Sequence, residues 1–113
     1  MVLSELNFHI KKLKRMMKPQ KVKTPLFLFP AKSYIYKEPY GNVLIISPWN
    51  YHFLLSINPL IGAISAGNAV IIKPSEFSVH TSNLLEKIIE EVFDETYIAV
   101  IKGGIKETDS LLN

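Results

Sequence analysis

Residues 44–76 read LIISPWNYHFLLSINPLIGAISAGNAVIIKPSE, and no Asp, Glu, Lys or Arg interrupts them until Lys73. The uncharged run starts earlier still, at Pro39. Residues 53–72 alone make 20 uncharged positions, the length of a membrane-spanning helix. Asn58, Pro59, Gly62, Gly67 and Asn68 lie inside that span, however, and Gly67-Asn68 is a turn signal that divides it. The better reading is strand, helix, strand. NVLIIS (42–47) and AVIIK (69–73) are short continuous apolar runs of the kind buried on both faces of a parallel sheet. Residues 53–66 are apolar nearly all round, as a covered helix is, and Gly67 suits its C-terminal cap. Pro59 either kinks this helix or starts a shorter one with Asn58 as N-cap.

The pattern continues outward. YIAVI (97–101) is a third strand. Before it, Leu84, Leu85, Ile88, Ile89 and Val92 form one helical stripe, with Glu86, Lys87, Glu90 and Glu91 opposite and Ser78 placed to cap. A last helix begins near Lys106. Alternating strands and helices predict an α/β fold with an open, parallel, Rossmann-like sheet and flanking helices. Towards the N-terminus, Leu3, Leu6, Ile10, Leu13 and Met17 predict an amphipathic helix over 2–17, stopped before Pro19. KSYIYKEP (32–39) alternates as a half-exposed strand does.

Composition limits the function classes. The chain has 113 residues, a formal charge of +3 and no cysteine. Disulfides, thiolate metal sites and a Cys nucleophile within these residues are excluded. Of the thirteen basic residues, seven fall between Lys11 and Lys23 without interleaved aromatic rings. That pattern reads as a solvated face rather than a nucleic-acid surface. The three histidines are scattered and suggest no metal site. The N-terminus lacks the basic-then-apolar order of a signal peptide, and the expected location is cytoplasmic.

Ligands of open parallel sheets bind at the carboxyl ends of the strands. Two polar clusters sit at such ends, Ser47-Pro48-Trp49-Asn50 and Lys73-Pro74-Ser75-Glu76. A Lys donor and a Glu acceptor three residues apart can clasp a vicinal diol such as a ribose, or form an ordinary surface ion pair. Asn50 can cap the next helix through its side-chain oxygen, or donate its amide N–H to a developing oxyanion. Gly103-Gly104 can bring backbone amides near a phosphate, although no G-x-G-x-x-G is present.

EPYGNVLIISPWNYHF, GAISAGNAVIIKPSE and VIKGGIKET together resemble the aldehyde dehydrogenase superfamily, nearest its short-chain branch of fatty and aromatic aldehyde dehydrogenases. The resemblance runs from about Val2 to the last residue. It implies NAD or NADP as cofactor, oxidation of an aldehyde to a carboxylic acid, and a homodimer for the complete enzyme. It further implies Asn50 as oxyanion donor, and Lys73 and Glu76 as holders of the adenosine ribose. Ile46, Pro48 and Trp49 would line the cofactor cleft, with Ser75 beside the adenine. The implied organisation is a helix and linker over 1–24, an extended oligomerisation-type arm over 25–38, and a partial dinucleotide-binding domain over 39–113. His52 stands where the family usually has proline. The family's catalytic cysteine, its general-base glutamate and its glycine-rich turn would lie beyond residue 113. The expectation is therefore a truncated N-terminal piece, inactive alone. Two alternatives are a non-catalytic remnant that binds nucleotide or a partner chain, and a small membrane-associated protein.

Overall fold

The computed structural model describes residues 1–113. In chain order the elements are α1 (Val2–Met16), β1 (Gln20–Val22), a 3₁₀ turn (Leu26–Leu28), β2 (Ser33–Ile35), β3 (Asn42–Ile46), α2 (His52–Ser65), β4 (Ala69–Lys73), α3 (Val79–Val92), β5 (Ile98–Val100) and α4 (Ile105–Leu112). The uncharged stretch is thus divided between β3, α2 and β4. No helix is long and apolar enough to cross a membrane, and residues 53–72 fold as a helix and a strand.

β3, β4 and β5 form a parallel sheet in that order, with β4 in the middle. Side chains alternate between the two faces of a strand. Ile45, Val70, Ile72 and Ile98 join Leu60 of α2 and Leu85 and Ile89 of α3 in one buried cluster. α2 and α3 also touch each other, so both cover the same face. The opposite face is less protected: Leu44, Ile71 and Ala99 are half-buried and Ile46 is 49% exposed. Burial on both faces, as the continuous apolar runs predict, is therefore not what these residues achieve. An apolar run records that both faces avoid water, and here only one of them has helices over it.

Pro59 sits inside a continuous α2, and the alternative of a shorter helix capped by Asn58 fails. Asn58 Oδ1 is buried without any hydrogen-bond partner, so it caps nothing. The end of α2 is better defined. Gly67, at φ 87°, donates its N–H to Ile64 O, and Asn68 donates to Ala63 O. This paired closure needs a left-handed residue, which glycine adopts without a Cβ clash. The Asn68 side chain finishes the turn. Its Nδ2 donates to Ala63 O at 3.1 Å and its Oδ1 accepts from Gly41 N at 3.0 Å, tying the end of α2 to the start of β3.

α1 packs on α2, but of the stripe its sequence advertises only Leu13 turns inward. Val2, Glu5, His9, Leu13 and Met16 are half-buried, whereas Leu3, Leu6, Ile10 and Met17 stay exposed. Between α1 and the end of α2 lies a hollow lined by His9, Met16, Met17, Gly62, Ser65 and Ala66. The arm at 25–38 is also less extended than expected. It contains the 3₁₀ turn, and β2 returns to pair antiparallel with β1, Lys21 opposite Tyr34.

Candidate functional site

Three loops leave the carboxyl edge of the parallel sheet side by side. The pairing of Ile46 with Lys73 puts the loop after β3 next to the loop after β4, and Ser47 N donates to Lys73 O across the gap. Ile101 N donates to Ile72 O, which brings the loop after β5 to the other flank of β4.

The first loop, 47–51, is held from beneath. Ser56 Oγ lies 2.7 Å from Ser47 Oγ and 2.6 Å from the His52 carbonyl, and both serines are buried. The carbonyl can only accept, so Ser56 donates to it and the Ser47 hydroxyl supplies the proton between the two serines. The Trp49 carbonyl takes His52 Nδ1–H at 2.8 Å and Ser78 Oγ–H at 3.3 Å. The His52 ring thus ties the loop to the first turn of α2. The sequence assigns it no role, because a lone histidine offers no spacing signal. Tyr51, at φ 47°, precedes α2, and no side chain closes that cap. Asn50 is consequently not the N-cap, and its exposed carboxamide projects from the loop without that duty. Ile46, Pro48 and Trp49 are exposed along the same edge.

The second loop places Lys73 where a charge is costly. Lys73 is 2% exposed, and its Nζ donates to Pro74 O at 3.0 Å and lies 3.7 Å from Glu76 Oε2. An ammonium has three donors, and only one meets an acceptor at hydrogen-bond distance here. Ser75 is buried, its Oγ accepting from Phe77 N and its carbonyl accepting from Ser82 Oγ. Ser78 occupies the N-cap position of α3, as its sequence position predicts, but its hydroxyl reaches Trp49 O instead of closing the cap.

Ser75 and Glu76 share a cavity of about 170 Å³ with Pro74, Asn83, Lys102 and Gly103. Ile46, Pro48, Trp49 and Asn50 lie outside that cavity, on the open edge beside it. Lys102 falls in the VIKGGIKET stretch, just past β5, and Asn83 lies on α3, but nothing local marks either as a site residue. The Gly103-Gly104 amides are partly spoken for, since Glu107 Oε2 accepts from Gly104 N at 2.6 Å at the start of α4. A larger hollow, about 640 Å³, lies away from this edge between α1 and β1, lined by Phe8, Lys12, Arg15, Lys18 and Lys37 among others. No three His, Asp or Glu side chains converge to hold a metal ion.

This arrangement has known counterparts. The model of the aldehyde dehydrogenase family matches residues 1–113. The 4,4'-diaponeurosporen-aldehyde dehydrogenase of Staphylococcus aureus is 53% identical over 111 residues, 98% of this chain and 24% of that protein. Aldehyde dehydrogenase family 3 member H1 of Arabidopsis thaliana is 50% identical over 109 residues, 96% of this chain and 22% of that protein. The chain thus spans about a quarter of the length of the curated relatives it matches. Among solved structures, the substrate-bound Staphylococcus aureus AldH superposes with a TM-score of 0.96, covering 98% of this chain and 24% of that one, at 53% identity. A Mycobacterium tuberculosis aldehyde dehydrogenase complexed with NAD+ superposes at 0.79 with 24% identity, over 97% of this chain and 22% of that one, a likeness of fold alone. A family match over the whole chain and relatives half identical to it show that the chain belongs to the aldehyde dehydrogenase family.

Proposed function

We propose that residues 1–113 supply the nucleotide-holding edge of an NAD- or NADP-dependent aldehyde dehydrogenase that turns an aldehyde into a carboxylic acid. The observation that carries this reading is Lys73, an ammonium buried at the end of a central strand with unused donors and Glu76 beside it. Burying a charge is costly unless something meets it, so spare donors at a strand's carboxyl end fit a ligand hydroxyl. In this reading Lys73 donates to, and Glu76 accepts from, the hydroxyls of the adenosine ribose. Ser75 lies beside the adenine, and Ile46, Pro48 and Trp49 border the cleft. The bound nicotinamide would supply the hydride acceptor.

Asn50 has a different task. Freed from capping, its amide N–H donates to the aldehyde oxygen as charge develops there. The Ser47–Ser56 and His52–Trp49 hydrogen bonds hold the loop that carries it. With no cysteine in the 113 residues, the covalent nucleophile is not among them, and we expect the chain alone to oxidise no aldehyde. Aldehyde is the substrate of the complete enzyme, which we place in the cytoplasm as a homodimer. The exposed Leu26, Phe27 and Phe29 support an interface role for the arm at 25–38.

The test is a chimera in which these residues replace the matching segment of the 53%-identical Staphylococcus aureus relative. Asn50→Ala and Asn50→Asp should each lower turnover by about 10²–10³-fold while nucleotide affinity holds. Wild-type turnover in Asn50→Asp would end the oxyanion assignment. Turnover by the 113-residue chain itself, above a buffer blank, would show that a nucleophile had been overlooked.

A further inference from the structure

Lys73 is the cation that the sequence offers to a nucleotide, but it does not line the 170 Å³ cavity beside Glu76. The ammonium that does is Lys102. Its Nζ lies 2.6 Å from Glu86 Oε2 and 3.0 Å from Asn83 Oδ1, both on α3, and its side chain is 42% exposed. Glu76, on the same cavity, presents a carboxylate that is 41% exposed. The cavity therefore holds one accessible negative group and one accessible positive group. At about 170 Å³ it is smaller than the roughly 300–1,000 Å³ of whole-ligand pockets, and suits a single ring or phosphate.

A half-exposed ion pair is worth little, about 0–1 kcal/mol, so Lys102 can leave Glu86 at small cost. A phosphate dianion is a stronger acceptor than a carboxylate and uses more donors. Asn83, already within reach of Lys102, can turn its amide to offer one. Against this, Glu76 repels a second negative group. Which nucleotide enters then depends on whether Lys102 offsets Glu76.

We propose that Lys102, poised between Glu86 and the cavity, determines whether this cleft accepts the 2′-phosphate of NADP in addition to NAD. The assignment rests on the nucleotide-edge reading above. Lys102 carries the positive charge, Asn83 supplies a neutral donor, and Glu86 competes with the phosphate for the ammonium.

Dissociation constants for NADP and NAD, measured on the full 113-residue chain and on the chimera described above, test it. Lys102→Met should raise the NADP constant about tenfold or more and leave NAD within about twofold, as loss of one charged hydrogen bond does. Glu86→Gln should act in the opposite sense, tightening NADP several-fold by freeing Lys102. Lys102→Arg should restore most of the NADP affinity. An NADP-to-NAD ratio that ignores Lys102→Met and Glu86→Gln overturns the proposal and leaves the nucleotide-edge reading standing. So does equal loss of both nucleotides in Lys102→Met, which would mark a structural role. Failure of the unmodified protein to bind either nucleotide, in both forms, overturns the nucleotide-edge reading and this proposal with it.

Discussion

Residues 1–40 and residues 41–113 are both built from regular elements, yet they are stabilised in different ways. All 15 buried residues lie between Ile45 and Ile98. The first region has a helix, a two-stranded ladder and a 3₁₀ turn but not one buried side chain, and Phe27 is 86% exposed. Local hydrogen bonding and periodicity form its elements, and even α1, which packs on α2, reaches only half-burial. The second region has a core because three strands and two helices present apolar faces to each other. Secondary structure is thus no measure of stability here: burial separates the two regions, and elements do not.

Substitution at matched large side chains should expose that difference most strongly. Leu85 is 1% exposed in the core cluster, and Leu85→Ala should cost about 2–5 kcal/mol in urea unfolding. Phe27→Ala should stay within about 0.5 kcal/mol, since it vacates no packed volume. Comparable costs at the two sites would mean that the arm has a core of its own. A smaller effect is expected at the turn that ties the end of α2 to the start of β3. Asn68→Ala removes the acceptor of Gly41 N–H and one donor to Ala63 O, and should cost about 1–3 kcal/mol. Asn68→Asp keeps the acceptor and should recover part of that loss; no recovery would place the stabilisation in the donor instead.

The smallest effect lies at the rim of the second region. Hydrogen bonds from the Thr96 hydroxyl and the Thr96 backbone N–H hold the Asp94 carboxyl below the usual carboxylate range. A folded-state pKa below the unfolded one stabilises the fold above the unfolded value, and the benefit fades as pH falls through the folded value. Asp94→Asn should flatten that acid-side slope of stability and leave the arm's spectroscopic signals unchanged. An undiminished slope in the variant would assign the acid sensitivity to other carboxylates.

Much of the second region is legible in the residues alone. The order β3, α2, β4, α3, β5 follows from run length and periodicity, and the Gly67-Asn68 break falls where the sequence places it. The alternatives at Asn50 and Asn58 are not resolvable from sequence, because asparagine before a helix looks the same whether or not its oxygen caps. The structure removes the cap at both: Tyr51 takes the position before α2, and Asn58 lies within the helix. The Lys73-Glu76 pair is legible as a motif, but the grouping of Lys102 with Asn83 and Glu86 is not. They lie on a different strand and helix, and no local pattern links them to Glu76.

By itself, then, the sequence determined the alternation of strand and helix, the carboxyl-edge loops and the family, because these depend on periodicity and on short motifs within a few residues. Only the tertiary structure decided which sheet face is covered, which face of α1 turns inward, that Lys73 is buried and that Lys102 stands across a cavity from Glu76. Those outcomes depend on contacts between residues far apart in the chain. Parallel pairing of β4 with β5 and the packing of α3 bring them together, and neither leaves a trace in local spacing.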